Sequence, residues 1–122
     1  MLTITKAQME ALKAADFRRF ESELITRLRE NFAPVIEKHD LDDASLRQII
    51  RQGLVRSETY QIYSEYDVTR FIEYVFEYGN QFESLPWAAP ILTASHLSGE
   101  EKMDRLDAVS AFSLRQNEES YR

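Results

Sequence analysis

The chain has 122 residues and a net charge of −6; 43% of its residues are hydrophobic, 30% are charged and none is cysteine. This balance predicts one globular domain, excludes a disordered or collagen-like polymer, and excludes disulfides and thiolate metal sites. No window reaches the roughly 18 uninterrupted apolar residues of a membrane span and no signal-peptide pattern is present, so the sequence predicts a cytoplasmic protein without membrane attachment.

The first predicted helix covers about residues 6 to 31. Thr5 and Gln8 have the spacing of a capping box. Asp16–Phe17 is out of step with the apolar pattern, so a bend or a division is expected there. Pro34 ends the helix because it disfavours a helical conformation of the preceding residue. The apolar residues at helical spacing are Met9, Leu12, Phe20, Leu24 and Leu28.

Two more helices are predicted between residues 42 and 79. Asp42 or Asp43 caps the first of them. Gly53 inside it indicates the close approach of a neighbouring helix, since glycine there costs about 1 kcal/mol relative to alanine. Ser64, followed by acidic residues, caps the next helix, and Gly79 ends it in a left-handed conformation.

The stretch SLPWAAPIL, residues 84 to 92, predicts a short and stiff helical element. Ser84 caps it and Pro86 takes its first position, which holds Trp87 on a rigid support. Trp87 then serves either as a lid over the core, the commoner role of a large aromatic residue, or as an anchor for a partner. Ser98 and Glu101 form a capping box for a last helix.

Together these elements predict an all-α fold, a single-domain helical bundle of four main helices plus a short helical turn. The alternation of apolar and polar residues that is typical of strands persists for only a few positions. The helical domain is expected to cover residues 1–115. Residues 116–122 are expected to form a frayed C-terminal tail, because they have no apolar surface to bury.

Aromatic and acidic residues concentrate in one window of the sequence. Nine of the fourteen aromatic residues lie between Tyr60 and Trp87. Residues 57–92 carry six acidic residues against a single basic one, Arg70. Such a charge balance disfavours nucleic acid as a ligand and favours a basic protein as a partner.

Two interpretations of this window stay open. In the first, the rings belong to the core and the tyrosine hydroxyls reach water. In the second, aromatic residues anchor a partner and glutamates form the rim of the interface. A second copy of the chain could also cover the wide apolar arc of the third helix, so a homo-oligomer stays open. The candidate partner-binding residues are Tyr66, Arg70, Glu73, Tyr74, Glu77, Tyr78, Phe82, Glu83 and Trp87.

Motifs for catalysis or cofactor binding are missing from the sequence. His39 and His96 lie in separate predicted loops, so a zinc site would lack identifiable ligands. The three glycines are too isolated to form a phosphate-binding loop, and no nucleophile elbow is present. Carboxylate pairs on the third helix belong to a solvated face. We therefore expect no enzymatic activity, no cofactor and no bound metal.

Three segments carry a resemblance to known proteins: LTITKAQMEAL, YSEYDVTRFIEYVFEYGNQFESLPWAAPIL and LSGEEKMDRLDAV. Together they resemble small helical proteins encoded within bacterial type VI secretion effector clusters, beside spike and effector-adaptor genes. The likeness spans about residues 2 to 109. Its most specific parts are residues 60–67, 79–82 and 85–88. Where that family runs GPDF, this chain has GNQF, which keeps the helix stop.

The resemblance implies an accessory role rather than a reaction. It implies an adaptor or co-chaperone that binds a secretion effector, or the adaptor chaperone of that effector, before secretion. The alternative is an immunity protein whose acidic aromatic face neutralises a basic toxin domain. The resemblance supplies no binding residues, so the candidate residues depend on the aromatic and acidic window alone.

Overall fold

The computed structural model describes the backbone of residues 6–120 and the side chains of residues 16–110. Within this range the chain is all-α and contains no strand, which confirms the predicted fold class. The four main helices are α1 (Lys6–Asn31), α3 (Asp43–Thr59), α4 (Glu65–Tyr78) and α6 (Gly99–Ser120). Shorter elements lie between them: α2 (Ala33–Lys38), a 3₁₀ turn (Phe82–Ser84) and α5 (Ala89–Leu92).

The chain divides into two compact units, Met1–Ile50 and Arg51–Arg122, and the division falls inside α3. We refer to them as the first and second units. The helical domain predicted over residues 1–115 stays a prediction. The tail predicted to fray from residue 116 is helical as far as Ser120, and residues 121–122 lie outside the described residues.

The first unit contains α1, α2 and the beginning of α3. α1 continues through Asp16–Phe17 without a division, and Phe20, Leu24 and Leu28 of its predicted apolar pattern are buried. Met9 and Leu12, which the same pattern includes, lie outside the described side chains. The buried apolar residues therefore confirm the described part of the predicted stripe.

The segment around Pro34 differs from the prediction. The sequence indicated only the end of a helix there, but α2 begins at Ala33. Pro34 is compatible with this start because the first turn of a helix does not use the backbone N–H that proline lacks. Ile36 of α2 is buried, and its carbonyl accepts a hydrogen bond from the Leu41 N–H at 3.0 Å.

The start of α3 is capped by Asp42, one of the two predicted caps. Its Oδ1 accepts a hydrogen bond from the backbone N–H of Ser45 at 2.8 Å. This bond and that from the Ser45 side chain lower the pKa of Asp42. Arg29 of α1 pairs with Asp43, which also links α1 to the beginning of α3 within the first unit.

The second unit is built around α4. Ser64 caps this helix as predicted, since its Oγ accepts a hydrogen bond from the Asp67 N–H at 3.1 Å. The close approach of a neighbouring helix predicted at Gly53 of α3 is confirmed, because a Cβ atom there would lie 2.6 Å from Cγ1 of Ile72 in α4. α4 also packs against α6, where Met103 and Leu106 are buried.

Beyond α4 the chain departs from the prediction in detail. Gly79 has φ 89° and ψ 174°, so it has the predicted positive φ but an extended ψ. Ser84 ends a 3₁₀ turn and caps no helix. Trp87 lies in a turn, and α5 begins at Ala89 with Pro90 in its first turn. The helix starts late because a helix beginning at Pro86 would need a bond from the N–H of residue 90 to the Pro86 carbonyl, and Pro90 has no N–H.

The capping box predicted for the last helix is present at the start of α6. Ser98 and Glu101 exchange hydrogen bonds between side chain and backbone, both at 3.1 Å. The hydrogen bond from the Ser98 backbone, together with that from the Ser98 side chain, lowers the pKa of the Glu101 carboxyl. Gly99 follows the cap, and a Cβ atom there would lie 2.4 Å from the carbonyl oxygen of Gln61. The α3–α4 turn therefore packs directly on the first turn of α6.

Candidate functional site

Four of the candidate partner-binding residues form a polar line along α4: Tyr66, Arg70, Glu73 and Glu77. Tyr66 and Glu77 are exposed, whereas Arg70 and Glu73 are half-buried. The Tyr66 side chain is 71% exposed. This line is therefore accessible at its two ends and partly covered in its middle.

Arg70 joins α4 to α6. Its guanidinium donates hydrogen bonds to Asp67 at 2.9 Å, to Asp104 at 3.0 Å and to Asp107 at 2.5 Å. Burial alone would lower the pKa of Arg70, but hydrogen bonds to Asp107 and Asp104 outweigh it and raise this pKa above its ordinary value. Because three carboxylates surround one cation, the cluster keeps a surplus of two negative charges.

The ring of Tyr66 lies over this cluster. The Arg70 Cζ atom is 5.0 Å from the centroid of the ring, within the range of a cation–π contact. We call the surface formed by Tyr66, Arg70, Asp104 and Asp107 the Tyr66 face. The sequence pointed to Tyr66 and Arg70 but missed the two aspartates, which lie on α6.

A second group of aromatic residues forms a connected network in the interior of the second unit. Phe71 and Phe82 meet edge to face at 5.1 Å between ring centroids, and Phe82 stacks on Tyr74 at 5.6 Å. Tyr74 in turn stacks on Tyr78 at 5.8 Å, and Trp87 meets Tyr78 edge to face at 5.1 Å. We call these five residues the inner ring network.

For three of the candidate partner-binding residues, the structure agrees with the core interpretation and not with the interface interpretation. Phe82 is fully buried and Tyr74 is buried, so neither presents a surface to another molecule. Trp87 is half-buried and closes the network over Tyr74 and Tyr78. Its contacts favour the lid interpretation, and the physical reason is that the 79–88 segment folds back over the end of α4.

Glu83 was predicted as part of an acidic rim, but it is engaged inside the second unit. Its carboxylate pairs with Arg56 of α3 and accepts a hydrogen bond from the Tyr60 hydroxyl at 3.1 Å. Arg56 also donates to the Asn80 carbonyl at 2.9 Å. These bonds hold the 79–84 segment, which contains the GNQF loop, against α3.

The hydroxyl of Tyr74 connects the inner ring network to α6. It donates to Oδ1 of Asp107 at 2.6 Å and lies 3.1 Å from Oγ of Ser110. Burial and the bond to Asp107 raise the pKa of Tyr74 well above its ordinary value. Burial, together with the charge of Glu77, also raises the pKa of Tyr78. Both tyrosines therefore stay neutral at physiological pH.

The α3–α4 turn is fastened to α6 by a buried lysine that the sequence did not single out. Lys102 is 1% exposed, and its ammonium donates to the Tyr60 carbonyl at 2.8 Å and to Oε1 of Gln61 at 3.1 Å. Burial lowers the pKa of Lys102. Gln61 itself has a φ of 62°, so the turn is tight where Gly99 meets it. This turn leads directly into Tyr63 and the first turn of α4.

Two aromatic residues remain outside the inner ring network and point to solvent. Tyr63, just before the Ser64 cap, is 67% exposed, and Tyr66 is the other. They are the only exposed aromatic side chains within residues 16–110. Of the nine candidate residues, Tyr66 and Glu77 are exposed, and the other seven are buried or half-buried.

The described side chains offer little that resembles reaction chemistry. No group of three His, Asp or Glu residues among them is arranged to hold a metal ion. His39 and His96 are both exposed. None of the helices in the described part of the chain combines the length and the apolar character required to cross a bilayer. The groups that the described side chains expose to solvent on this side of α4 are an aromatic ring and carboxylates.

Comparisons of this chain with protein-family models, with curated proteins and with solved structures gave no match.

Proposed function

We propose that this chain is a non-enzymatic protein-binding accessory, which acts in the cytoplasm as an adaptor or co-chaperone of a type VI secretion effector. The resemblance of its three sequence segments supplies the secretion context. The observation that carries the binding role is the exposure of Tyr63 and Tyr66, at 67% and 71%, whereas the other aromatic side chains of residues 51–110 are buried or half-buried.

Exposed rings on a packed support are favourable for binding a partner. Tyrosine and tryptophan are enriched at the centres of protein interfaces, because they bury a large area at a small entropic cost. The turn that carries Tyr63 is fixed by the Lys102 bonds and by the close approach at Gly99. A surface that is already ordered loses little conformational freedom on binding, which raises affinity.

The charge distribution supports a protein partner as well. The Tyr66 face carries a surplus of negative charge, and the window of residues 57–92 contains a single basic residue. A nucleic acid backbone would be repelled by such a surface, whereas a basic protein segment would be attracted.

The proposal is tested by co-expressing the chain with the effector, the adaptor chaperone and the isolated toxin domain of a type VI cluster, followed by gel filtration. We expect a stable complex with the effector or the adaptor chaperone. Tyr66→Ala should weaken that complex, while Tyr66→Phe, which keeps the ring, should preserve it. Absence of a complex with all three proteins would overturn the proposal.

Immunity is separated from adaptor function by a toxicity assay. An adaptor should not rescue cells that express the toxin domain, because it binds a loading segment rather than the active site. Rescue by the wild-type chain, lost in Tyr66→Ala and kept in Tyr66→Phe, would overturn the adaptor role and assign the chain to toxin neutralisation instead.

A further inference from the structure

The Tyr66 face combines an open aromatic ring with carboxylates that reach solvent. One side of the Tyr66 ring covers Arg70, and the side chain is still 71% exposed. The side chains of Asp104 and Asp107 are 64% and 52% exposed although both bind Arg70. These four residues form one continuous set of contacts across α4 and α6, so a single partner segment could reach all of them.

The carboxylates on this face retain capacity for further hydrogen bonds. An ionised carboxylate offers about four acceptor positions. Asp104 uses Oδ1 for Arg70, and Asp107 uses one oxygen for Arg70 and the other for Tyr74. Arg70 neutralises only one of the three carboxylates around it, so the face attracts a second cation.

The chemistry of the ring narrows the kind of cation that fits. The face of a tyrosine ring attracts guanidinium and ammonium groups, and arginine also stacks on it through its planar group. A guanidinium can donate two parallel hydrogen bonds to a neighbouring carboxylate at the same time. A phosphate or an acidic lipid headgroup would meet the negative surplus instead and would be repelled.

We propose that the Tyr66 face binds an arginine- or lysine-rich segment of a partner protein, with one basic side chain of the segment on the open side of the Tyr66 ring and another donating hydrogen bonds to Asp104 and Asp107. This inference depends on the protein-binding role proposed above and names the chemistry of the partner. Arg70 acts as a positioning residue in this surface: it holds the two aspartates beside the ring.

Two synthetic peptides of equal length test the inference, one rich in arginine and lysine and the other with glutamate in their place. Binding to the full chain is measured by titration calorimetry, and amide shifts by NMR. The basic peptide should bind, more weakly as salt rises, with its largest shifts at residues 65–70 and 104–107. The acidic peptide should not bind. Failure of the basic peptide to bind, or shifts elsewhere, would overturn the inference.

Single substitutions distinguish binding of the basic peptide at the Tyr66 face from its general electrostatic attraction to an acidic protein. Tyr66→Ala and Asp104→Asn should each weaken binding of the basic peptide by about tenfold, whereas Tyr66→Phe should not weaken it. Glu37→Gln removes the same charge as Asp104→Asn from an exposed position in the first unit and should change binding less than about twofold. Equal weakening by Glu37→Gln and Asp104→Asn would show non-specific attraction and would contradict the inference.

The peptide experiment and the co-expression experiment can fail separately. If the cluster proteins bind and Tyr66→Ala leaves their binding unchanged, the protein-binding role stands and the Tyr66 face is the wrong surface. If the basic peptide binds at the Tyr66 face while no cluster protein forms a complex, the surface stands and the secretion context is wrong.

Discussion

The two ends of α4 place the same kind of side chain in opposite environments. At its start, Tyr66 is exposed and its ring lies over the Arg70 guanidinium. At its end, Tyr74 and Tyr78 are covered by Phe82 and Trp87. The difference arises because the chain after Gly79 folds back over the end of the helix. Aromatic content therefore does not distinguish core from surface; the path of the following segment does.

The largest expected effect is the loss of stability on truncating the inner ring network. Phe82→Ala should lower the free energy of unfolding by about 3–5 kcal/mol, because it removes a fully buried ring and leaves a cavity. Tyr66→Ala should change it by less than about 1 kcal/mol. Urea unfolding followed by circular dichroism measures both. A similar loss of free energy of unfolding in the two variants would contradict the difference in packing between the two ends of α4.

The next effect concerns the support beneath the exposed end. Gly99→Ala should destabilise the chain by about 1–3 kcal/mol, because the new Cβ atom would meet a backbone carbonyl at 2.4 Å. Gly53→Ala should cost less, since it meets a side chain, that of Ile72, and gains about 1 kcal/mol of helix propensity. Thermal unfolding of the two variants gives the order, and the reverse order would contradict the proposed packing of the α3–α4 turn on α6.

How far the sequence predicts this structure differs between local and long-range features. The caps at Ser64 and Ser98 and the close approach at Gly53 were predicted correctly, because each depends on residues within one turn or on the steric freedom of glycine. The start of α5 was predicted wrongly at Pro86. Both prolines suit a first turn, but Pro90 lacks the N–H that a helix beginning at Pro86 would need for its second hydrogen bond.

The candidate site shows the same limit. The α4 pattern identified Tyr66 and Arg70, but Asp104 and Asp107 belong to a helix whose packing against α4 no local pattern specifies. For the same reason Glu83 looked like a surface acid until α3 brought Arg56 to it. Nor does local sequence explain the burial of Lys102, since its acceptors come from a turn more than forty positions earlier.

A smaller effect comes from the ion pair that fastens the 79–84 segment. A double-mutant cycle with Arg56→Met and Glu83→Gln should give a coupling energy of about 1–2 kcal/mol, since both side chains are largely buried. The exposed pair Arg19–Glu23 on α1 serves as the control and should give about 0.3–0.5 kcal/mol. A coupling as small as that of the control would mean that Glu83 is available to a partner after all.

The smallest expected effect is a change in how the free energy of unfolding depends on pH above pH 10. The raised pKa of Tyr74 means that the folded state holds this proton more tightly than the unfolded state. The contribution of the protonated Tyr74 hydroxyl to the free energy of unfolding is therefore complete below the ordinary tyrosine pKa of 10.0. It is lost as pH rises from there through the raised folded-state pKa. Tyr74→Phe should cost about 0.5–1.5 kcal/mol at neutral pH and decline less steeply above pH 10. Parallel pH profiles of the two proteins would contradict a buried Tyr74 hydroxyl.

Oxidative footprinting of the folded chain with hydroxyl radicals tests the division of the rings most directly, because it reports the solvent access of each aromatic side chain in one experiment. We expect rapid modification of Tyr63 and Tyr66, slower modification of Trp87, and protection of Phe82 and Tyr74. Adding the basic peptide should protect Tyr66 and leave the modification of Tyr63 unchanged. Modification of Tyr74 as fast as that of Tyr66 would contradict the account.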